Sequence, residues 1–220
     1  MNKIIKFGED IEGYDIPVLN EREIRAAAGV LFLLMFISIM MALLKGEFLI
    51  LKYAIIIFLT DILIRVLVNP KFSPSLIIGR LIVRNQVPEY VGAQQKKFAW
   101  IIGVVLATTM FTLLVVVNSY SPITGIICLV CLIFLFFETA FGICLGCIFY
   151  RLFKKDKAQY CPGEVCNSKT KQDIQKTSGL QMLILAGFIA YILLAVYFFN
   201  DNFSTSPHEL FGTEISSQSK

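Results

Sequence analysis

The chain has 220 residues, of which 56% are hydrophobic and only 16% charged, and its mean hydropathy is +0.72. A soluble domain carries about 25% charge and about 45–50% apolar residues, so this composition excludes a disordered chain and an ordinary soluble fold. The expected class is an all-α integral membrane protein.

Residues 1–25 are mostly polar and hold Lys3, Lys6, Arg22 and Arg25. They read as a cytoplasmic N-terminal segment without a cleavable signal peptide, because no small-residue cleavage site follows the first apolar run. Five apolar segments follow, at about residues 26–44, 48–68, 98–117, 123–150 and 180–199. Each has about the 20 residues that span a bilayer, and in lipid only a helix satisfies its own backbone. Residues 26–151 therefore read as a four-helix membrane core. Residues 152–179 read as a cytoplasmic cysteine-containing loop, 180–199 as a fifth transmembrane helix, and 200–220 as a flexible external tail.

Basic residues set the orientation. The N-terminal segment has four and the first connector only Lys45. The second connector has Lys71, Arg80, Arg84, Lys96 and Lys97, and the third has none. The fourth has seven, from Arg151 to Lys176, and the tail has Lys220 alone. Rich and poor segments alternate throughout. That pattern predicts five spans, a cytoplasmic N-terminus and an external C-terminus. The net charge of +4 then needs no nucleic acid to explain it. Within the second connector, SPSLIIGRLIVRNQVP is too short to span. Arg80 and Arg84 share one helix face there, which reads as an interfacial helix with arginines at headgroup level or as a loop helix packed under the bundle.

Intramembrane charges are costly and face protein rather than lipid. Asp61 and Arg65 are four apart and can pair on one face. Glu138 is the acid of the fourth segment. Either Arg65 bridges Asp61 and Glu138 to lock two helices, or the three form a polar site for a proton or small substrate. Lys52 is expected to snorkel to the outer surface.

All six cysteines lie between Cys128 and Cys166. Cys128 and Cys131, near the outer end of the fourth segment, read as packing residues. Cys144 and Cys147 form C-L-G-C at its cytoplasmic end, and Cys161 and Cys166 form C-P-G-E-V-C in the loop. These four can meet. Helix periodicity places Cys144 and Cys147 opposite Glu138. Three readings stay open. Paired thiols could do thiol–disulfide or sulfur-transfer chemistry, one thiolate attacking and the other resolving, with Lys154, Lys155 and Lys157 favouring thiolates. Four thiolates could bind a structural metal in a non-enzymatic scaffold or partner subunit. Or the cysteines have no role. A small-solute or proton transporter using Asp61 and Glu138 is a further alternative, weakened by the lack of a repeat. The partners expected are the lipid bilayer and a thioredoxin-like or sulfur-carrier protein, and no nucleic acid. The sequence names no cofactor.

The run E-T-A-F-G-I-C-L-G-C-I-F-Y, from Glu138 to Tyr150, resembles the E-x-x-x-G-x-C-x-G-C-x-x-Y signature of a bacterial membrane family, domain of unknown function forty-three ninety-five. Further resembling positions are Asn20-Glu21 with Arg25, Asp61 with Arg65, Ser73-Pro74, and Lys97-Phe98-Ala99 with Gly103. The resemblance spans about residues 18–151. It implies shared polar positions at Asp61, Arg65, Glu138, Cys144 and Cys147, and it implies no activity. Cys161, Cys166 and the fifth segment fall outside it.

Overall fold

A computed structural model describes residues 7–11, 16–146, 148 and 177–209. Cys147, Cys161, Cys166, most of the cytoplasmic loop and the end of the tail lie outside the described residues. The described residues are mostly helical, with two short strand ladders and an isolated bridge between Glu9 and Val18. Strand β1 (Val18–Asn20) pairs antiparallel with β2 (Tyr90–Gly92), Val18 opposite Gly92. Strand β3 (Ser119–Tyr120) pairs parallel with β4 (His208–Glu209).

Helix α1 (Glu21–Lys45) begins where the Asn20 side chain accepts the Arg22 backbone N–H, satisfying a helix-end donor. It ends at Gly46, whose φ of 68° places it in the left-handed region common after a helix C-terminus. Its buried residues Ile24, Ala27, Ala28, Leu31, Met35, Ser38 and Ala42 recur every three or four positions and form one stripe. Its opposite face exposes Leu33, Phe36, Ile37, Leu43 and Leu44. Large apolar side chains turned outward suit a lipid environment.

Helix α2 (Leu49–Leu63) continues through a π-helical turn (Ile64–Val68). With its π turn it exposes only Ile50, Leu67 and Val68. A single 3₁₀ turn (Pro70–Phe72) leads to α3 (Pro74–Val83), with Ser73 as N-cap. Helix α3 packs on α1 so closely that a Cβ at Gly79 would stand 2.5 Å from the Glu23 carbonyl oxygen. Helices α4 (Ala93–Phe111) and α5 (Pro122–Phe136) also end in π turns, Thr112–Val116 and Phe137–Phe141. Helix α6 (Gly179–Ser204) lies against α2 and α3. It starts with a reciprocal Ser178–Gln181 capping box.

Among the described residues, four helices are long and apolar enough to cross a membrane: Glu21–Lys45, Ala93–Val116, Pro122–Phe141 and Gly179–Ser204. The second expected span is helical too, but it carries Lys52, Asp61 and Arg65 and is not among the four. Its enclosed position in the bundle is what makes those charges tolerable.

The expected fourth span is shortened. Helix α5 and its π turn stop at Phe141, because Gly142 takes φ 65° in the left-handed region. A further expectation also changes. Lys52 does not snorkel: it is 1% exposed, and its Nζ donates to Asn118 Oδ1 at 2.7 Å, Thr205 O at 2.8 Å and Phe203 O at 3.2 Å. It joins the start of α2 to the end of α6.

Candidate functional site

Three ionic clusters lie at the end of the bundle where α1 and α4 begin and α5 ends. In the first, Asp61 is 1% exposed and its carboxylate is saturated. It accepts Arg65 Nε at 2.9 Å, Ser73 Oγ at 2.7 Å, Ser75 N at 2.9 Å and Ser75 Oγ at 2.6 Å. Arg65 also donates to both serine hydroxyls and lies over the Trp100 ring, 5.2 Å from its centroid. A buried ion pair holds only when such additional bonds satisfy both partners. In the second cluster, Arg80 donates to Glu23 at 3.1 and 3.2 Å, and Asn20 Nδ2 donates to Glu23 Oε1. Arg80 thus faces protein rather than headgroups, while Arg84 is exposed.

The third cluster is built around Lys96, read from sequence as a connector residue but placed in the first turn of α4 and 1% exposed. Its Nζ lies 2.9 Å from Glu21 Oε2 and 2.5 Å from Glu138 Oε1. The expected Arg65 bridge between Asp61 and Glu138 is therefore corrected: Glu138 pairs with Lys96. Lys96 stands between the start of α1 and the end of α5, and Arg65 is consumed by Asp61 and the two serines. From Glu21 the chain of charges runs outward. Arg25 Nε is 3.6 Å from Glu21 Oε1, Arg25 Nη1 is 3.8 Å from Glu89 Oε2, and Arg22 Nη2 is 2.7 Å from Glu89 Oε1.

Cys144 is buried at this end. Residues 142–144 are non-helical, so the helical projection that put Cys144 opposite Glu138 does not apply. Instead both line one small cavity of about 70 Å³, with Arg65, Trp100 and Gly146. Cys144 also lines a wider cavity of about 400 Å³ with Glu21, Arg25, Glu89, Lys96 and Ile143. It sits between an inner, mostly apolar space and an outer, charged one.

The two glycines near Cys144 have distinct structural reasons. A Cβ on Gly142 would collide with the Arg25 guanidinium, which lies against it. A Cβ on Gly146 would stand 2.5 Å from Ala99 Cβ and 2.7 Å from its Cα. Gly146 therefore lets the segment after α5 press against α4, which a larger residue forbids. Cys128 and Cys131 are free, buried thiols in α5, with Cys128 Sγ 4.0 Å from Met110 Sδ.

Sequence reasoning named Asp61, Arg65, Glu138 and Cys144, but missed Lys96 and Glu23 and gave Glu21 and Arg25 no role at the site. The i, i+4 spacing of Glu21 and Arg25 was a usable signal. Lys96 gave none, because its nearest acid in sequence of those it pairs with is 42 residues away. No group of three or more metal-ligating side chains occurs among the described residues, and three of the four expected ligands, Cys147, Cys161 and Cys166, lie outside them.

The resembling positions collect here. Asp61, Arg65 and Ser73 form one cluster. Glu21, Arg25, Ala99, Glu138, Gly142, Cys144 and Gly146 form the walls around the two cavities. No curated protein and no solved structure matches the chain. One family model matches residues 19–155, well over half of the chain and ending before α6, and the protein accordingly belongs to the family described as Domain of unknown function (DUF4395).

Proposed function

We propose that this is a five-span protein of the bacterial inner membrane, N-terminus cytoplasmic and C-terminus outside, that handles thiol–disulfide or sulfur chemistry at the cytoplasmic boundary through Cys144 and Cys147. Helix ends support the topology. Lys96 gathers the starts of α1 and α4 and the end of α5, whereas Lys52 gathers the start of α2 and the end of α6. Such a grouping is what alternating crossings require. Helix α3, with ten residues, is too short to cross and is tied through Arg80 to the start of α1, at the same boundary.

The observation that carries the chemical reading is the placement of Cys144. It is held at a helix break, on the wall of a cavity of about 400 Å³ that also presents Arg25 and Lys96. Cationic charge beside a sulfur stabilises the thiolate, which is the attacking species. Cys144 is disulfide-bonded in the structure; once that bond is reduced, the Cys144 thiolate attacks a partner sulfur and releases the partner's thiolate. Cys147 then attacks the mixed disulfide. Two thiols are oxidised, one disulfide is reduced, and the two protons leave with the released thiols.

The test is growth and protein-thiol status of cells carrying Cys144→Ser or Cys147→Ser under an oxidising challenge. Both variants should be sensitised to the same degree while the protein remains at normal abundance. Unchanged growth in both would remove the proposal.

A further inference from the structure

We infer that the crevice between α6 and the rest of the bundle, at the Lys52 end, is a phospholipid site, with one acyl chain lying along α6 and the phosphate at the helix ends. The site is independent of the sulfur chemistry proposed above. Its volume is about 760 Å³, within the range of small-molecule sites, about 300–1,000 Å³. Ile56 of α2 and Val115 of the π turn after α4 form one wall, and Leu194, Phe198 and Phe199 of α6 form the other. These three α6 side chains are exposed, so the walls are apolar and open to the surroundings of the bundle.

Polarity is confined to one end. Asn118 and Asn202 line the cavity where α6 finishes. Asn118 Oδ1 accepts from Lys52 Nζ, which leaves the amide's Nδ2 as a donor. Asn202 is exposed. Two amide donors therefore stand at the same end of an apolar channel, where a phosphate or ester oxygen can accept from them. Lys52 itself is 1% exposed and acts through its charge rather than by contact. Its three hydrogen bonds all go to neutral oxygens, and among the described residues no carboxylate pairs with it. A buried charge without a counter-charge is costly, and an anion seated at Asn118 reduces that cost.

Length selects the occupant. From Tyr191 to Asn202 the lining follows α6 for roughly 16 Å, at a rise of 1.5 Å per residue. That is half of a hydrocarbon core about 30 Å thick, the depth of one leaflet's acyl chains. An acyl chain fills this length with its polar end at the amides. A second protein helix does not fit. With side chains a helix is about 10–12 Å across, and the same length of it would take up roughly 1,200 Å³.

The experiment uses the full-length protein, delipidated in detergent and titrated with palmitoyl-oleoyl phosphatidylglycerol, with bound lipid read by native mass spectrometry. Wild type should hold one lipid at a concentration where Leu194→Trp, which narrows the cavity, holds at least fivefold less. Val115→Trp, from the opposite wall, should do the same. Leu183→Trp, at an exposed position of α6 outside the cavity, should bind like wild type. Asn202→Leu should weaken phosphatidylglycerol by about threefold and leave diacylglycerol, which has no phosphate, unchanged. Elution as a single wild-type-like peak shows that each variant is folded, and misfolding of one Trp variant leaves the other and Asn202→Leu to decide. No lipid retained by wild type, equal retention in wild type and the cavity variants, or a decyl-substituted benzoquinone held in preference to the phospholipid would each overturn the inference.

Discussion

Gly146 marks how tightly the candidate site is built. Its Cα faces Ala99 on α4, and even one methyl group would meet that residue's Cβ at 2.5 Å. Overpacking a filled contact costs about 1–3 kcal/mol. Gly146→Ala should lower the thermal midpoint of the detergent-solubilised protein, and pairing it with Ala99→Gly should recover part of the loss. An additive double variant would mean that the two do not touch. Lys96 makes a larger demand. Its charge is shared by Glu21 and Glu138, so Lys96→Met leaves Glu138 without its cation and Glu21 with only Arg25, at 3.6 Å. Breaking a buried pair costs about 3–5 kcal/mol, and a fall in folded protein by fluorescence-detected chromatography should report it. Adding Glu138→Gln to Lys96→Met should restore part of the yield. The pairing of Asp61 with Arg65 was legible, since four residues of helix bring them together whatever the fold. Lys96 with Glu138 was not, because only the packing of α4 against α5 joins them.

At the scale of elements, helix ends decide most of the geometry. The sequence displays its apolar lengths plainly, and the helices follow them. It hides where α5 stops. Residues 123–150 read as one apolar run, yet Gly142 turns the backbone into the left-handed region and Arg25 occupies the space beside it. That single break moves Cys144 from the far side of a projected helix onto the cavity that Glu138 also lines. The opposite end has a comparable device in Lys52. Its ammonium holds the Phe203 and Thr205 carbonyls at the end of α6, partners more than 150 positions away that no local pattern could announce. A cation at a helix C-terminus also complements the helix dipole. Lys52→Met should therefore speed amide hydrogen exchange in residues 200–205, with little change at the Lys96 cluster. Uniform acceleration throughout the molecule would argue against a local clamp.

Across the whole molecule, polar groups are concentrated at two levels with apolar helix faces between them. Asp61 and Glu138 each have a cation in contact. The chain belongs to its family through residues 19–155, and α6 lies beyond them, anchored by Lys52 and by Gln181 Nε2 donating to the Lys71 carbonyl. The proposed five crossings would place the two termini on opposite sides. An alkaline phosphatase fused after Lys220 should be active in cells, and a green fluorescent protein fused there should be dark. The reverse pattern would remove the fifth crossing. The central claim concerns the sulfur at the boundary. It is tested most directly by differential alkylation of intact cells, with reduced and oxidised Cys144 and Cys147 quantified by mass spectrometry before, during and after a pulse of a thiol oxidant. A redox pair predicts that both residues shift to the oxidised form together during the pulse and return together afterwards. Cysteines that stay fully reduced throughout, or fully oxidised throughout, would contradict it.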